Sequence, residues 1–149
     1  MFAYGIVVGT SVGFWARKRK RLVASKEEHI MGTNVISALG DYGCDTQSAL
    51  ERFLGKEELY LKFIRKFLDD KSFEDLKGFI GEEDYENALK SVHTLKGVSG
   101  NLGFTALYDV ASDMVNKFRA QLPGDAVAEF GMLENIYTEI YSIIRENVS

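Results

Sequence analysis

EEDYENALKSVHTLKGVSGNLG, residues 82–103, is predicted to form the long helix around which the rest of the chain is arranged. Its first three residues are acidic, which the positive end of a helix dipole favours. Gly103 is the predicted end, because glycine readily adopts the left-handed conformation that terminates many helices. The stretch also raises the question of why a helix has two glycines just after its histidine. Gly97 and Gly100 follow its histidine closely, although each glycine weakens a helix by about 1 kcal/mol relative to alanine.

A helical projection at about 100° per residue separates two faces of this helix. With His93 set at zero, apolar and small residues gather on the opposite side, which is the predicted core face. That face contains Ala88, Ser91, Leu95, Val98 and Leu102, with Val92 and Ser99 on its flank. The exposed face contains Glu86, Leu89, Lys90, His93, Lys96, Gly97 and Gly100. The pattern therefore predicts that the imidazole of His93 points to solvent.

From residue 33 onward the whole chain shows the period of amphipathic helices, and strand signals are nearly absent. Besides the helix over 82–103, long helices are predicted over 56–81, from a Thr105 cap, and from Pro123. Two short helices precede them, one from a Thr33 cap to about Gly40 and one from an Asp45 cap to Gly55. The predicted fold class is all-α: an antiparallel up-down four-helix bundle over residues 33–148, with short extra N-terminal helices.

Residues 1–30 differ from the rest and are predicted to be an N-terminal extension. The apolar run MFAYGIVVGTSVGFWA is followed at once by a basic cluster, the reverse of the order in a secretory signal peptide. As a helix it would span about 24 Å, short of a hydrocarbon core of about 30 Å. Three alternatives stay open: a membrane tether over residues 1–21 at the inner face, a poorly ordered extension, or a chain whose functional start is Met31.

Composition narrows the classes of function. The formal net charge of -4 gives no indication of nucleic-acid binding. A lone cysteine, Cys44, fits a reducing compartment, so a cytoplasmic location is expected. No metal role is expected for His29, the other histidine. The chain has no Gly-rich nucleotide loop and no room for an ATPase domain, so it is expected to act in trans.

The predicted exposed face carries a chemistry of its own. His93 offers an accessible nitrogen nucleophile, and Lys96, one turn along, can stabilise negative charge that arrives there. Gly97 and Gly100 leave space for another molecule's surface. This combination suits phosphoryl transfer, in which protein catalysis consists mostly of positioning and charge stabilisation. Spacing alone leaves open that His93 is only a solvated surface residue.

Residues 93–103, HTLKGVSGNLG, closely resemble the signature of histidine-phosphotransfer (HPt) domains, roughly H-x-L-K-G-x-S/A-x-x-L/I/V-G. The matching residues are His93, Leu95, Lys96, Gly97, Ser99, Leu102 and Gly103. The resemblance continues upstream through CDTQSALERFLGKEELYLKFIRKFLDD and covers about residues 33–148. It implies a four-helix bundle in a phosphorelay of two-component signalling.

The resemblance also implies roles for individual residues. His93 would be phosphorylated at Nε2 by the aspartate of a receiver (response-regulator) domain and would pass the group to another. Lys96 would help hold the phosphoryl group, and Gly97 would give the receiver's loops room. The face analysis adds Leu89, Lys90 and Gly100 to the expected partner-binding surface. No cofactor or metal of its own is implied, since Mg²⁺ belongs to the receiver domain.

Two alternatives to this phosphorelay carrier remain open. In the first, an ATP-dependent histidine kinase catalytic domain phosphorylates the chain directly, as the resemblance to chemotaxis-kinase phosphotransfer domains would allow. In the second, the chain is a helical adaptor in which His93 is inert.

Overall fold

The computed structural model describes residues 34–148, which form helices joined by short turns, with no strand in that range. In chain order the helices are α1 (34–42), α2 (Thr46–Arg52), α3 (Glu57–Phe67), α4 (Ser72–Gly81), α5 (Tyr85–Leu102), α6 (Thr105–Arg119), α7 (Pro123–Ala128) and α8 (Phe130–Val148). The predicted all-α fold class is confirmed. The proposed extension over 1–30, its tether and the Thr33 cap lie outside the described residues. Among the helices of residues 34–148, none is long and apolar enough to cross a membrane.

Helix α5 is the central element of the bundle. It packs extensively against α4 and α6, and α2 and α3 contact it more lightly. Helix α8 completes the bundle by packing on α6 and α3. Only short turns connect α4, α5 and α6, so these neighbouring helices run antiparallel. The shared core includes the fully buried side chains of Ile64, Leu76, Leu95, Met114 and Ile140, one from each of five helices.

The single helix predicted over 56–81 is wrong, because the structure divides it into α3 and α4. The chain leaves the helix after Phe67 and re-enters it at Ser72. Between them, the carboxylate of Asp70 accepts a hydrogen bond from the backbone N–H of Ser72 at 2.8 Å. An aspartate that bonds to nearby backbone in this way competes with helix continuation, which accounts for the break.

The helix boundaries after α5 also differ from the prediction. Thr105 is the first residue of α6 rather than its cap, and its hydroxyl donates to the carbonyl of Gly103. Pro123 occupies the first turn of α7 as predicted, where its missing N–H costs nothing. The last helical segment is interrupted at Glu129, whose carboxylate pairs with Lys117 of α6.

Both ends of α5 are fixed by specific contacts. At the start, a carboxylate oxygen of Asp84 accepts the backbone N–H of Asn87 at 3.2 Å, the geometry of a helix N-cap. At the end, Gly103 has φ +78°, and its carbonyl accepts the N–H of Asp45 at 2.8 Å. The second contact joins the end of α5 to the start of α2, so the helix carrying His93 has a fixed register against its neighbours.

Tyr60 links α3 to the end of α5 from inside the core. Its side chain is fully buried, and its hydroxyl donates to the carbonyl of Leu102 at 2.8 Å. Burial raises the pKa of this hydroxyl, so it remains a donor in alkaline solution as well. We expect Tyr60→Phe to lower the free energy of unfolding in urea by about 1–2 kcal/mol, because it leaves a buried carbonyl unsatisfied.

The control for this substitution is Tyr42→Phe, which removes the hydroxyl of a tyrosine that is 37% exposed. That change is expected to stay within about 0.5 kcal/mol of the original protein. Equal effects of the two substitutions would show that the Tyr60 hydrogen bond does not stabilise the bundle.

Candidate functional site

His93 lies in the middle of α5 with its side chain exposed, as the helical projection predicted. Within residues 34–148 its imidazole forms no hydrogen bond or ion pair. The opposite face is buried, but it is centred slightly differently from the prediction. Its buried residues are Ala88, Val92, Leu95, Ser99 and Leu102. Val92 and Ser99 therefore belong to the core rather than to its flank, whereas Ser91 and Val98 are only half-buried.

Ser99, the one polar residue on the buried face, is satisfied within its own helix. Its hydroxyl donates to the carbonyl of Leu95 at 2.6 Å. A buried hydroxyl without a partner would cost free energy, and this bond removes that cost. Ser99 therefore has a structural role on the buried face of α5.

Lys96 is half-buried and lies one turn after His93, on the side of α5 that faces α6. Its ammonium nitrogen is 5.7 Å from the ring centroid of Tyr108, within the range of a cation–π contact. Tyr108 belongs to α6 and remains 38% exposed. A positive charge is thus present on the flank of the exposed imidazole.

The two glycines after His93 lie in different surroundings. A Cβ atom added at Gly97 would meet no heavy atom within 4 Å, so this exposed position is open to solvent. A Cβ added at Gly100 would lie 3.1 Å from the ring of Tyr108. The space predicted at Gly100 for another molecule's surface is therefore taken up in part by an aromatic ring of α6.

The two remaining residues of the predicted partner surface lie one turn before His93. Leu89 is half-buried and packs against the core, with part of its side chain exposed. Lys90 is exposed, and its ammonium lies 3.3 Å from a carboxylate oxygen of Glu86 on the same helix. Leu89, Lys90 and Gly97 thus lie one turn from His93 along α5 and Gly100 lies two turns from it, and Leu89 and Gly100 are more buried than the projection indicated.

A cleft of about 630 Å³ opens beside His93, between α5, the start of α6 and the α2 end of the bundle. Residues from all three elements line it, among them Arg52, His93, Lys96, Gly97 and Tyr108. Arg52 closes one end, where its guanidinium donates to the carbonyl of Gly100 at 2.9 Å. This contact places a cation at the C-terminal end of α5, where the helix dipole favours it.

The cleft carries charges of both signs. Besides Arg52 and Lys96, the carboxylates of Asp45 and Asp109 line it. Hydrogen bonds from Ser48 hold the pKa of the Asp45 carboxyl below its usual range, so it is ionised at neutral pH. Within residues 34–148 no group of three or more histidine, cysteine and acidic side chains could hold a metal ion.

The cleft beside His93 is also lined by Arg52, Tyr108 and Asp109, which the sequence did not predict. Each comes from another helix, and no periodicity along α5 could reveal which side chains of α2 and α6 reach it. The one available signal was Gly100, because a glycine inside a helix often marks close approach by another group.

An exposed histidine at the middle of a bundle helix, flanked by a lysine and an open glycine, is an arrangement that a helical phosphoacceptor module would require. A family model described as "Hpt domain" matches residues 49–142. The match covers more than half of the chain, which therefore belongs to the Hpt domain family. That membership confirms the resemblance and brings the general role of histidine phosphotransfer in phosphorelay signalling. Neither the curated proteins nor the solved structures contain a significant match.

Proposed function

We propose that this protein is a phosphorelay carrier that receives a phosphoryl group on His93 from a receiver-domain aspartate and returns it to another. The observation that carries the proposal is the position of His93: an exposed imidazole without a described partner, inside the region that matches the Hpt family. A phosphoacceptor that acts in trans must present its histidine to a second protein, and the exposed imidazole meets that requirement.

The transfer step follows from the chemistry of imidazole. The lone pair of Nε2 attacks phosphorus of the receiver's aspartyl phosphate; the N–P bond forms as the P–O bond to the aspartate breaks, and the carboxylate leaves. The same steps in reverse regenerate the aspartyl phosphate on the next receiver. Mg²⁺ would be held by the receiver domain. On this chain, Lys96 would offset the negative charge of the phosphoryl group.

Lys96→Ala is expected to slow transfer about ten-fold without abolishing it, because it removes one charge-assisted contact in a step that the nucleophile still performs. The measurement is the single-turnover rate of label transfer from a phosphorylated receiver to the full-length chain. The control is Lys62→Ala, which removes an exposed lysine of α3 and should leave the rate unchanged. Equal rates for Lys96→Ala and the original protein would exclude the proposed role of Lys96, and complete loss would show that Lys96 does more than stabilise charge.

Gly97→Glu tests the proposed approach of a receiver. We expect transfer to fall at least ten-fold through weaker receiver binding, since a side chain then projects from the open position beside His93; about 1.4 kcal/mol of lost binding suffices. Stability should change by less than about 1 kcal/mol, because the position is exposed and helical. Gly78→Glu makes the same change at an exposed, open glycine of α4 and should leave transfer intact. Unchanged transfer with Gly97→Glu would place the receiver elsewhere.

The alternative of direct phosphorylation differs in its phosphodonor. Full-length chain is incubated in parallel with a phosphorylated receiver domain plus Mg²⁺, and with ATP plus a histidine kinase catalytic domain. The carrier proposal expects label from the receiver. Label from ATP and the kinase domain alone would favour the alternative, and the absence of label from both would favour an inert adaptor.

Location is part of the same proposal. A cytoplasmic site of action is supported by the lone cysteine and by the partners of the family, and a tether through residues 1–21 at the inner membrane face would be compatible with it. Fractionation of the full-length chain beside a chain that begins at Met31 separates the two cases. Equal distribution of both chains in the soluble fraction would exclude the tether.

A further inference from the structure

Tyr108 makes two contacts with α5 that meet at the edge of the cleft. Its ring rests on Gly100, so closely that a Cβ at that position would be 3.1 Å from Cδ2 and 3.2 Å from Cε2. Contacts this short are tighter than nine in ten real Cβ contacts, so with a side chain at position 100 the ring would have to shift by a few tenths of an ångström. The same ring faces the ammonium of Lys96, four residues earlier and one turn along α5.

Lys96 has no other described interaction. Within residues 34–148 its ammonium forms no ion pair and no hydrogen bond, although Asp45 and Asp109 line the same cleft. A free lysine side chain populates many rotamers, and restricting them costs free energy. The face of the Tyr108 ring attracts the ammonium of Lys96. It therefore favours the Lys96 rotamers that keep this charge at the cleft.

We propose that Tyr108 is a positioning residue: its ring, seated on Gly100, holds the ammonium of Lys96 beside His93. The effect of Tyr108 on phosphoryl transfer rests on the proposed function, whereas its effect on the position of the Lys96 ammonium does not. Preorganising a charge before the phosphoryl group arrives avoids paying for its order during the reaction. It also answers why α5 tolerates a second glycine after its histidine: Gly97 opens the surface, and Gly100 admits the ring.

The geometry is tested by NMR on the unphosphorylated full-length chain. The methylene protons of Lys96 near its ammonium should show an upfield ring-current shift in the original protein and in Tyr108→Phe, and lose it in Tyr108→Leu. Gly100→Ala should also reduce the shift, because its Cβ displaces the ring. Gly97→Ala is the matched control and should leave the shift in place, since no atom lies within 4 Å of the added Cβ. An unchanged shift in Tyr108→Leu would overturn the proposal.

The consequence for transfer is tested by the single-turnover rate from a phosphorylated receiver. Tyr108→Leu should slow transfer about two- to five-fold, the factor that corresponds to an exposed cation–π contact, and Tyr108→Phe should restore the original rate. In the Lys96→Ala background, Tyr108→Leu should have no further effect. An equal additional loss in that background would show that Tyr108 does not act through Lys96.

The two kinds of failure are distinguishable. If the original protein accepts no phosphoryl group while the ring-current shift behaves as expected, the proposed function fails and the geometry stands. If transfer occurs but neither Tyr108→Leu nor Gly100→Ala changes the shift, the positioning role fails and the proposed function stands.

Discussion

His93→Gln is expected to reduce phosphoryl transfer from a receiver domain to background. Glutamine keeps a polar side chain of similar reach, but its amide nitrogen has no free lone pair to attack phosphorus, so the N–P bond cannot form. The side chain of His93 is exposed and without a partner in the described residues, so the free energy of unfolding should change by less than about 0.5 kcal/mol. The measurements are label transfer at alkaline pH, where phosphohistidine is stable, and urea unfolding followed by circular dichroism.

The matched control for this substitution is His29→Gln. His29 is the other histidine of the chain, so the same change of residue type can be made away from α5. Transfer to His29→Gln should equal transfer to the original protein. Retained label on His93→Gln with the fold intact would contradict the proposal that His93 is the phosphoacceptor. Label lost only in His29→Gln would show that His29 is phosphorylated instead.

Gly103→Ala is expected to destabilise the bundle by about 3 kcal/mol or more. Gly103 has φ +78°, a conformation that costs an L-residue roughly 1–2 kcal/mol. An added Cβ would also clash with the backbone of Asp45 and come within 3.0 Å of the Ala49 side chain. Because Asp45 caps α2 and Ala49 lies within it, relief of the clash moves α2 away from the end of α5 and weakens the Asp45–Gly103 hydrogen bond. Such a loss is a large part of the roughly 5–15 kcal/mol that stabilises a typical domain.

The measurement is the midpoint and slope of urea unfolding, with Gly97→Ala beside it. Gly97 is also a glycine of this signature, but it lies at an exposed helical position with open space around it. Alanine there should stabilise the protein by about 0.5–1 kcal/mol. Opposite signs for these two glycine-to-alanine changes are the expected result. A loss below about 1 kcal/mol for Gly103→Ala would mean that the junction of α5 and α2 relaxes easily.

Much of the fold could be predicted because the bundle is determined by patterns along the chain. Apolar spacing identified the helical segments, and Gly103 marked the end of α5 correctly, whereas α5 begins at Tyr85 and not at Glu82 because Asp84 caps it. The break between α3 and α4 was missed because the apolar stripe continues across it. Asp70 interrupts the helix through one backbone hydrogen bond, a contact that periodicity does not reveal.

In the candidate site, too, some features could be predicted from the sequence and others could not. The exposure of His93 and the open space at Gly97 follow from the helical projection of α5 alone. The role of Gly100 does not, because it depends on how far Tyr108 of α6 leans across the helix interface. Arg52 is a further case, since its contact with the end of α5 depends on the packing of α2. Residues on one helix could be predicted together, whereas contacts between helices required the structure.

The central claim is that His93 is the residue that carries the phosphoryl group, and site mapping tests it most directly. Full-length chain is incubated with a phosphorylated receiver domain and Mg²⁺, digested at alkaline pH, and analysed by mass spectrometry with fragmentation that preserves the N–P bond. We expect one phosphoryl group, acid-labile and alkali-stable, on the peptide that contains His93. A phosphoryl group on any other residue, or none after incubation with a panel of receivers that phosphorylate a known carrier, would contradict the claim.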